Sequence, residues 1–205
     1  MTTDREGDQL LVQRAQAGER EAFNQLVAKY QRRLMRLLTR LLNDSAEAED
    51  VVQETFIKAY RALRHFRGDA AFYTWLYRIA INSAKNVLLS RKRHGTPLLP
   101  RNDAAAPARS EPAVAEEERL RDINTPESML ASKQIAQTVN AAMDALPIDL
   151  RTAIALREIE GLSYEEIAEI MDCPLGTVRS RIFRAREAIA RKLRPLLDLP
   201  VDKRW

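Results

Sequence analysis

The stretch LSYEEIAEIMDCPLGTVRSRIF (residues 162–183) has the layout of two short helices joined by a tight turn. Ser163 suits the N-cap of the first helix, because Glu166 follows three residues later as its capping-box partner. The apolar side of this helix is formed by Ile167, Ala168 and Met171. Residues 172–174 make the turn, and Thr177 is expected to cap the second helix. The stretch therefore predicts a helix-turn-helix, whose second helix can lie in the major groove of DNA.

The second helix, GTVRSRIFRAREAI (176–189), carries four arginines and one phenylalanine but a single acidic residue. At about 100° per residue, one stripe is apolar and faces the core: Val178, Ile182, Ala185 and Ile189. The outward side chains suit DNA reading: Arg179, Ser180, Phe183, Arg184 and Arg186. Arginine can bind guanine through two hydrogen bonds, and an aromatic ring can touch a thymine methyl group. The alternatives are a solvated basic face and a helical hairpin that contacts protein.

The composition of the whole chain favours an all-α fold. The 205 residues include only 6 Gly, and 45% of them are hydrophobic and 30% charged. Helical periodicity predicts further helices at residues 9–17, 21–42, 46–64, 72–91, 127–145 and 148–160. Between the fourth and fifth of these, five prolines mark a flexible linker: Pro97, Pro100, Pro107, Pro112 and Pro126. We therefore expect two small helical domains, at 1–95 and 127–197, joined by a linker at 96–126 and followed by a tail at 198–205.

Charge is distributed unevenly along the sequence. Residues 1–95 hold 17 Lys and Arg against 11 Asp and Glu, a net charge of +6. Residues 96–125 carry −2 and residues 126–178 carry −6, whereas residues 179–194 return to +6. Two basic segments separated by acidic chain suit a protein that touches a polyanion at two places, although a basic run can also be only solvated.

Several classes of function fit this sequence poorly. Cys173 is the only cysteine, and His65 and His94 are the only histidines, so neither a disulfide nor a zinc cluster is expected. No glycine-rich phosphate loop is present, and we expect no enzyme, metal or cofactor. No apolar stretch reaches membrane-spanning length and no signal peptide is evident, so we expect a cytoplasmic protein.

The segment SAEAEDVVQETFIKAYRAL (45–63) predicts an amphipathic helix. Its core face is expected to consist of Val52, Phe56, Tyr60 and Leu63. Its polar edge consists of Asp50, Gln53, Glu54 and Lys58. Taken alone, such an edge is typical of a solvated helix face.

The segment FRGDAAFYTWLYRIAINSAKNVLLSRKR (66–93) concentrates aromatic residues: Phe66, Phe72, Tyr73, Trp75 and Tyr77. Beyond Trp75, one side of the predicted helix carries cations and amides: Arg78, Asn82, Lys85 and Asn86. Cations bind phosphates, amides can read base edges, and aromatic rings stack on unpaired bases. This chemistry suits single-stranded nucleic acid, and an aromatic core with a basic exterior is the alternative. Duplex reading at one site and strand binding at another together indicate promoter recognition and melting.

Two long runs resemble the sigma-70 family of transcription initiation factors. DVVQETFIKAYRALRHFRGDAAFYTWLYRIAINSAKN (50–86) and LPIDLRTAIALREIEGLSYEEIAEIMDCPLGTVRSRIFRAREAI (146–189) look like extracytoplasmic-function (ECF) sigma factors of the sigma-E type. The resemblance covers nearly the whole chain outside the linker and the last several residues. It implies a sigma-2 domain at 1–95 and a sigma-4 domain with the helix-turn-helix at 127–197.

The resemblance also implies partners and roles. The helix at 45–63 would dock on the β′ clamp helices of core RNA polymerase through Asp50, Gln53, Glu54 and Lys58. The −10 element would be captured and read by Phe66, Phe72, Tyr73, Trp75, Tyr77, Arg78, Asn82, Lys85 and Asn86. The −35 duplex would be read by Ser163, Tyr164, Thr177, Arg179, Ser180, Phe183, Arg184 and Arg186. The sigma-4 domain would also meet the β flap. An anti-sigma factor, often membrane-anchored, would hold the protein inactive until envelope-stress genes are needed.

Two segments of the chain differ from those of the family. In the family the linker threads toward the RNA exit channel, but here it is long, acidic and proline-rich, and the tail LPVDKRW (199–205) departs from the family pattern. The rival classes are a stand-alone helix-turn-helix repressor or activator, an enzyme, and an adaptor that mimics a sigma factor. The repressor leaves the aromatic basic helix unexplained, and a mimic has no need of outward arginines and Phe183.

Overall fold

The computed structural model describes residues 2–93 and 126–197, which form eight α-helices, one short 3₁₀ helix and no strand. The N-terminal half contains α1 (Thr2–Gln16), α2 (Arg20–Leu42), α3 (Ser45–Ala62), the 3₁₀ helix (Leu63–His65) and α4 (Phe72–Arg93). The C-terminal half contains α5 (Pro126–Asp144), α6 (Ile148–Glu158), α7 (Tyr164–Met171) and α8 (Leu175–Leu197). Within the described ranges, no helix is both long enough and apolar enough to cross a membrane.

The N-terminal half is organised around α2, because this helix buries a continuous apolar stripe. The stripe consists of Phe23, Leu26, Tyr30, Leu34, Leu37, Leu38, Leu41 and Leu42. Asn43 ends α2 in the left-handed conformation, at φ 58°. Asp44 then starts α3, since its carboxylate accepts the backbone N–H groups of Ala46 and Glu47. The two caps reverse the direction of the chain, so that α3 packs along α2. Helix α4 then packs against both α2 and α3.

The helix-turn-helix of the C-terminal half forms as the sequence predicts. The hydroxyl of Ser163 accepts the backbone N–H of Glu166, and the Glu166 carboxylate accepts the backbone N–H of Ser163, which completes the capping box. Asp172 ends α7 in the left-handed conformation, at φ 51°. The second helix begins at Leu175, so Thr177 lies in its first turn and not at its cap. The carbonyl of Pro174 accepts the N–H of Thr177 at 2.9 Å.

The two halves pack against each other. Helix α4 contacts α7, and α2 contacts α6, so the apolar cores of the two halves are continuous. Arg151 of α6 donates hydrogen bonds to the carbonyl of Leu41 at 3.0 Å and to the carbonyl of Leu146 at 3.3 Å. This guanidinium therefore links the end of α2 to the turn between α5 and α6.

The predicted all-α class with two helical groups is confirmed, and most predicted helix bounds agree within two residues. Helix α1 is longer than predicted, because it begins at Thr2. Tyr60, expected in the core, is 50% exposed and packs edge-on against Phe23 with ring centroids 5.0 Å apart. Apart from Pro126, the predicted linker lies outside the described residues, as does the tail from residue 198.

Candidate nucleic-acid interface

The outward side of α8, called here the α8 outer face, comprises Arg179, Ser180, Phe183 and Arg184, all of them exposed. Phe183 is 68% exposed, although its side chain is large and apolar. On the opposite side of the helix, Val178, Ile182 and Ala185 are buried, as predicted. The packing therefore fixes the helix so that an aromatic ring and two guanidinium groups project together into solvent, as contact with a DNA groove requires.

Other residues predicted near this face have structural partners. Ser163 belongs to the capping box, and Ser180 donates a hydrogen bond to the carbonyl of Thr177 at 2.9 Å. The ring of Tyr164 lies 5.0 Å from the guanidinium carbon of Arg157. Arg186 forms an ion pair with Glu158 at 2.6 Å, and this partner raises the pKa of the arginine. Phe183 and Arg184 therefore project into solvent, whereas Ser163, Tyr164, Ser180 and Arg186 also make contacts within the C-terminal half.

Three of the predicted strand-binding aromatics form one cluster at the start of α4. The rings of Phe66 and Trp75 have centroids 4.9 Å apart, and the centroids of Phe72 and Trp75 are 5.8 Å apart. Phe72 is buried, whereas Phe66 and Trp75 are partly exposed. The side-chain amide of Gln16 donates hydrogen bonds to the carbonyls of Leu63 and Phe66, both at 2.9 Å. Gln16, which sequence reasoning missed, therefore positions the loop that carries Phe66.

The two tyrosines of α4 face the C-terminal half. The hydroxyl of Tyr77 donates a hydrogen bond to Glu160 at 2.5 Å, and Tyr77 is only 2% exposed. The hydroxyl of Tyr73 donates to Glu166. Burial, together with the neighbouring carboxylate, raises the pKa of Tyr73 to about 12 and raises the pKa of Tyr77 as well. In this arrangement neither phenol is presented to solvent as a free donor.

The cations of α4 also meet carboxylates of the C-terminal half. Arg78 pairs with Asp172 at 2.9 Å, and Lys85 pairs with Asp149 at 2.9 Å. The hydrogen bond from Lys85 lowers the pKa of Asp149. Asn82 and Asn86 stay exposed. The predicted strand-binding surface is therefore partly covered: its amides are exposed, whereas its tyrosines and cations contact carboxylates of the C-terminal half. This surface is called here the α4 face and comprises Tyr73, Tyr77, Arg78, Asn82, Lys85 and Asn86.

The polar edge of α3, called here the α3 edge, is open to solvent along its length. Asp50, Gln53 and Glu54 are exposed. Lys58 donates a hydrogen bond to Ser83 at 2.9 Å and pairs with Glu54 at 2.7 Å, so it links α3 to α4. Ile57 is 51% exposed on the same edge. A single exposed apolar side chain is ordinary on a protein surface, so the docking role of this edge rests on the resemblance stated above.

The sequence did not indicate which carboxylates would contact the α4 face. They are Asp149, Glu160, Glu166 and Asp172. Arg33 of α2, whose Nε lies 3.6 Å from a Glu160 oxygen, was missed too. The net charges of +6 for residues 1–95 and −6 for residues 126–178 were the available signal, since oppositely charged segments of one chain attract each other.

Comparison with known proteins covers both halves of the chain. The family model for Sigma-70 region 2 matches residues 26–94, and the model for Sigma-70 region 4 matches residues 136–189. The RNA polymerase sigma-H factor of Pseudomonas aeruginosa is 54% identical over 192 residues, which are 94% of this chain and 96% of the relative. The ECF RNA polymerase sigma-E factor of Escherichia coli K12 is 54% identical over 190 residues, 93% of this chain and 96% of the relative.

Two solved structures share the arrangement of helices. CnrH in complex with the cytosolic domain of CnrY gives a TM-score of 0.65 at 25% identity, covering 92% of this chain and 98% of that one. The sigma factor RpoE of Bartonella quintana, in complex with the anti-sigma factor NepR, gives 0.63 at 26% identity, covering 84% of this chain and 96% of that one. With both region models matched and relatives of this identity aligned over nearly their full length, the chain belongs to the sigma-70 family, in its extracytoplasmic-function group and of the sigma-E type.

Proposed function

We propose that this chain is an alternative sigma factor that binds core RNA polymerase, recognises the −35 and −10 promoter elements and helps to open the promoter. The observation that carries the proposal is the pairing of an exposed arginine and phenylalanine face on α8 with an aromatic, amide and cation face on α4. Similarity to sigma-E factors over more than nine tenths of the chain supports it. Residues 1–95 act as the sigma-2 domain and residues 127–197 as the sigma-4 domain.

The helix-turn-helix reads the −35 element as duplex. Phe183 and Arg184 project from the α8 outer face, so they contact base edges in the major groove. Arg179 and Arg186 lie beside them and bind phosphates, Arg186 after leaving its pairing with Glu158. Ser163, Tyr164, Thr177 and Ser180 hold or flank the reading helix, and short polar side chains at its start can also bind the DNA backbone.

The α4 face and the loop before it capture the opened −10 strand. Asn82 and Asn86 are exposed and can read base edges, and Arg78 and Lys85 can bind phosphates. The cluster of Phe66, Phe72 and Trp75 offers ring faces on which an unpaired base can stack, worth ~1–3 kcal/mol per base. Tyr73 and Tyr77 join this surface once their partners in the C-terminal half withdraw.

Protein partners complete the assignment. The α3 edge, with Asp50, Gln53, Glu54 and Lys58, docks on the β′ clamp helices, and the sigma-4 domain meets the β flap. An anti-sigma factor holds the chain inactive, and the similar structures solved in complex with CnrY and NepR support this role. We place the chain in the cytoplasm, held at the inner membrane by a membrane-anchored anti-sigma factor until envelope-stress genes are required. It acts as an initiation factor and not as an enzyme.

Transcription in vitro tests this function directly. Purified chain and core RNA polymerase are incubated with a library of promoter fragments, and run-off transcripts are sequenced. We expect transcripts only when both proteins are present, from templates that share one −35 and one −10 motif. Core polymerase alone is the control. Absence of chain-dependent transcripts would contradict the proposal.

A stand-alone repressor or activator is the second candidate, favoured only by the complete helix-turn-helix. Such a protein binds its operator tightly without polymerase. A sigma factor with two small DNA-binding domains is instead expected to bind DNA weakly until polymerase fixes the spacing of the domains. Gel shifts with and without core polymerase separate the two. Nanomolar duplex binding by the chain alone would favour the repressor.

A further inference from the structure

We infer that the DNA-binding side of α8 continues beyond its reading residues: Arg191 and Arg194 bind the sugar-phosphate backbone of the duplex that flanks the −35 element. The inference rests on the proposed function, in which the first turns of α8 read that element. It adds a second contact at the far end of the same helix. This contact strengthens binding to DNA without reading its sequence.

Two other arginines of α8 have carboxylate partners within the C-terminal half. Arg181 lies 3.4 Å from an oxygen of Asp149, and Arg186 lies 2.6 Å from an oxygen of Glu158. Both carboxylates belong to α6, so the two pairs link α8 to α6. These guanidinium groups therefore have a role in the fold whether or not DNA is bound.

The cations in the last turns of α8 have no such partner. Arg191, Lys192 and Arg194 are exposed, and none of them forms an ion pair with another described residue. Positive charge near the carboxyl end of a helix also interacts favourably with the helix dipole. The dipole accounts for cations at this end of α8, but it does not favour one side of the helix over another.

Two of these three cations lie on one side of α8. At about 100° per residue, Arg194 lies about 20° around the helix from Phe183, and Arg191 lies about 20° from Arg184. Lys192 lies about 180° from Phe183, on the other side of the helix. Arg191 and Arg194, called here the distal arginines, therefore continue the direction of the α8 outer face to the end of the helix.

The length of α8 determines what the distal arginines can touch. From Arg179 to Arg194 the helix rises roughly 22 Å, whereas the major groove is about 12 Å wide. A recognition helix places its N-terminal residues against the base edges. The last two turns of α8 therefore lie beyond the groove, beside the phosphates at its edge. Arginine binds phosphate oxygens through charge-assisted hydrogen bonds.

The acidic residue of this helix separates the two contacts. Glu187 is exposed and is the only acidic residue in 179–194, where seven Lys and Arg occur. Residues 188–197 contain three cations and no acid. Because a carboxylate repels phosphate, the backbone contact begins after Glu187, and base reading lies before it.

Two variants with the same change in net charge isolate this contact. The test variant carries Arg191→Gln and Arg194→Gln. The control variant carries Lys192→Gln, at the same end of α8 but on its other side, and Lys133→Gln, at an exposed position of α5. Any general attraction to DNA falls equally in both variants. Far-UV circular dichroism checks that both are folded.

Binding of the holoenzyme to promoter duplexes gives the result. Core RNA polymerase is reconstituted with each full chain, and binding to fluorescein-labelled duplexes with a matched or a mismatched −35 element is measured at several salt concentrations. We expect the test variant to lower the slope of log affinity against log salt by about two units, since each phosphate contact contributes about 0.9. The ratio of matched to mismatched affinity should stay unchanged, because phosphates carry no sequence information.

Ethylation of individual phosphates locates the contact. Ethyl groups on phosphates just outside the −35 element should weaken binding of the wild-type and control holoenzymes. The same ethyl groups should have no effect on the test variant, which lacks the distal arginines.

Three results would overturn the inference. An unchanged salt slope in the test variant would leave the distal arginines to solvent or to an acidic protein surface. A reduced ratio of matched to mismatched affinity would make them base contacts. An equal fall of the slope in the control variant would mean that net charge matters and position does not. Failure of the sigma-factor proposal is seen separately, as the absence of polymerase-dependent transcripts from the wild-type chain.

Discussion

Glu160 accepts a hydrogen bond from Tyr77 at 2.5 Å across the junction of the two halves, although 83 positions separate them in the sequence. Both side chains are buried, and the Nε atom of Arg33 lies 3.6 Å from the same carboxylate. This pair joins a residue predicted to meet the −10 strand to one that no sequence motif marks. Its environment determines how the chain should respond to mutation and to pH.

Replacing Tyr77 by Phe removes the donor and leaves a buried carboxylate with Arg33 as its remaining partner. We expect the free energy of unfolding to fall by about 1–3 kcal/mol. Urea denaturation followed by circular dichroism measures the change. Tyr60→Phe is the control, because that ring is 50% exposed, and it should alter stability by less than about 0.5 kcal/mol. Equal effects of the two substitutions would argue against the importance of the Tyr77 hydrogen bond.

Alkaline titration should reveal Tyr73. Its pKa is raised to about 12 by burial and by Glu166, against about 10 for a free tyrosine. A phenol with a raised pKa stabilises the folded chain fully below about pH 10, and this contribution is lost between about pH 10 and pH 12. Absorbance at 295 nm follows ionisation of the tyrosines, and Tyr73→Phe should remove one late step. A titration that Tyr73→Phe leaves unchanged would contradict the assignment.

Asn82→Ala tests the reading of the −10 strand. The side chain is exposed, so stability should change by less than about 0.5 kcal/mol. Loss of an amide contact to a base is expected to lower open-complex formation about tenfold or more. Permanganate reactivity of promoter thymines, measured with core polymerase, reports the opening. Asn24 is also exposed but lies on α2, so Asn24→Ala serves as the control, and promoters should open normally with this variant.

Substitutions on α8 should separate base reading from phosphate binding. Phe183→Ala and Arg184→Ala are expected to reduce discrimination between matched and mismatched −35 elements about tenfold to hundredfold. Arg186→Ala should instead weaken binding to all sequences and lower the salt slope by about one unit. Holoenzyme binding to a panel of −35 variants at several salt concentrations measures both. A uniform loss of affinity with Arg184→Ala would make that arginine a phosphate contact.

The α3 edge should matter for polymerase and not for stability. Asp50→Ala and Gln53→Ala remove exposed side chains, so folding should be unaffected while affinity for core polymerase falls, by about tenfold for the pair. Glu49→Ala, an exposed neighbour about 100° around the helix from Asp50, is the control. Surface plasmon resonance with immobilised core polymerase measures the affinities. Equal binding by all variants would remove the docking role from this edge.

Sequence reasoning succeeded where structure depends on short-range patterns. The capping box of Ser163 and Glu166, the turn at residues 172–174 and the outward position of Phe183 follow from spacing along one or two helices. The helix bounds follow in the same way, because apolar periodicity repeats within each segment. The α3 edge is exposed as the pattern predicted.

The remaining features depend on contacts between distant segments. The hydrogen bond between Tyr77 and Glu160 and the pairing of Lys85 with Asp149 leave no periodic signal in the sequence of either half. Periodicity within α4 cannot state which segment of the C-terminal half lies against that helix. The prediction that Tyr60 is buried was wrong, because its ring lies at the edge of the core. It packs against Phe23 on one side and stays 50% exposed.

The neutralised cations of α4 also bear on how the chain travels through the cell. A chromosome offers on the order of 10⁶–10⁹ non-specific sites, and each free cation on a protein lengthens its stay on them. Because Lys85 and Arg78 are already paired with carboxylates of the C-terminal half, this surface should hold the chain on bulk DNA less than the N-terminal half alone would.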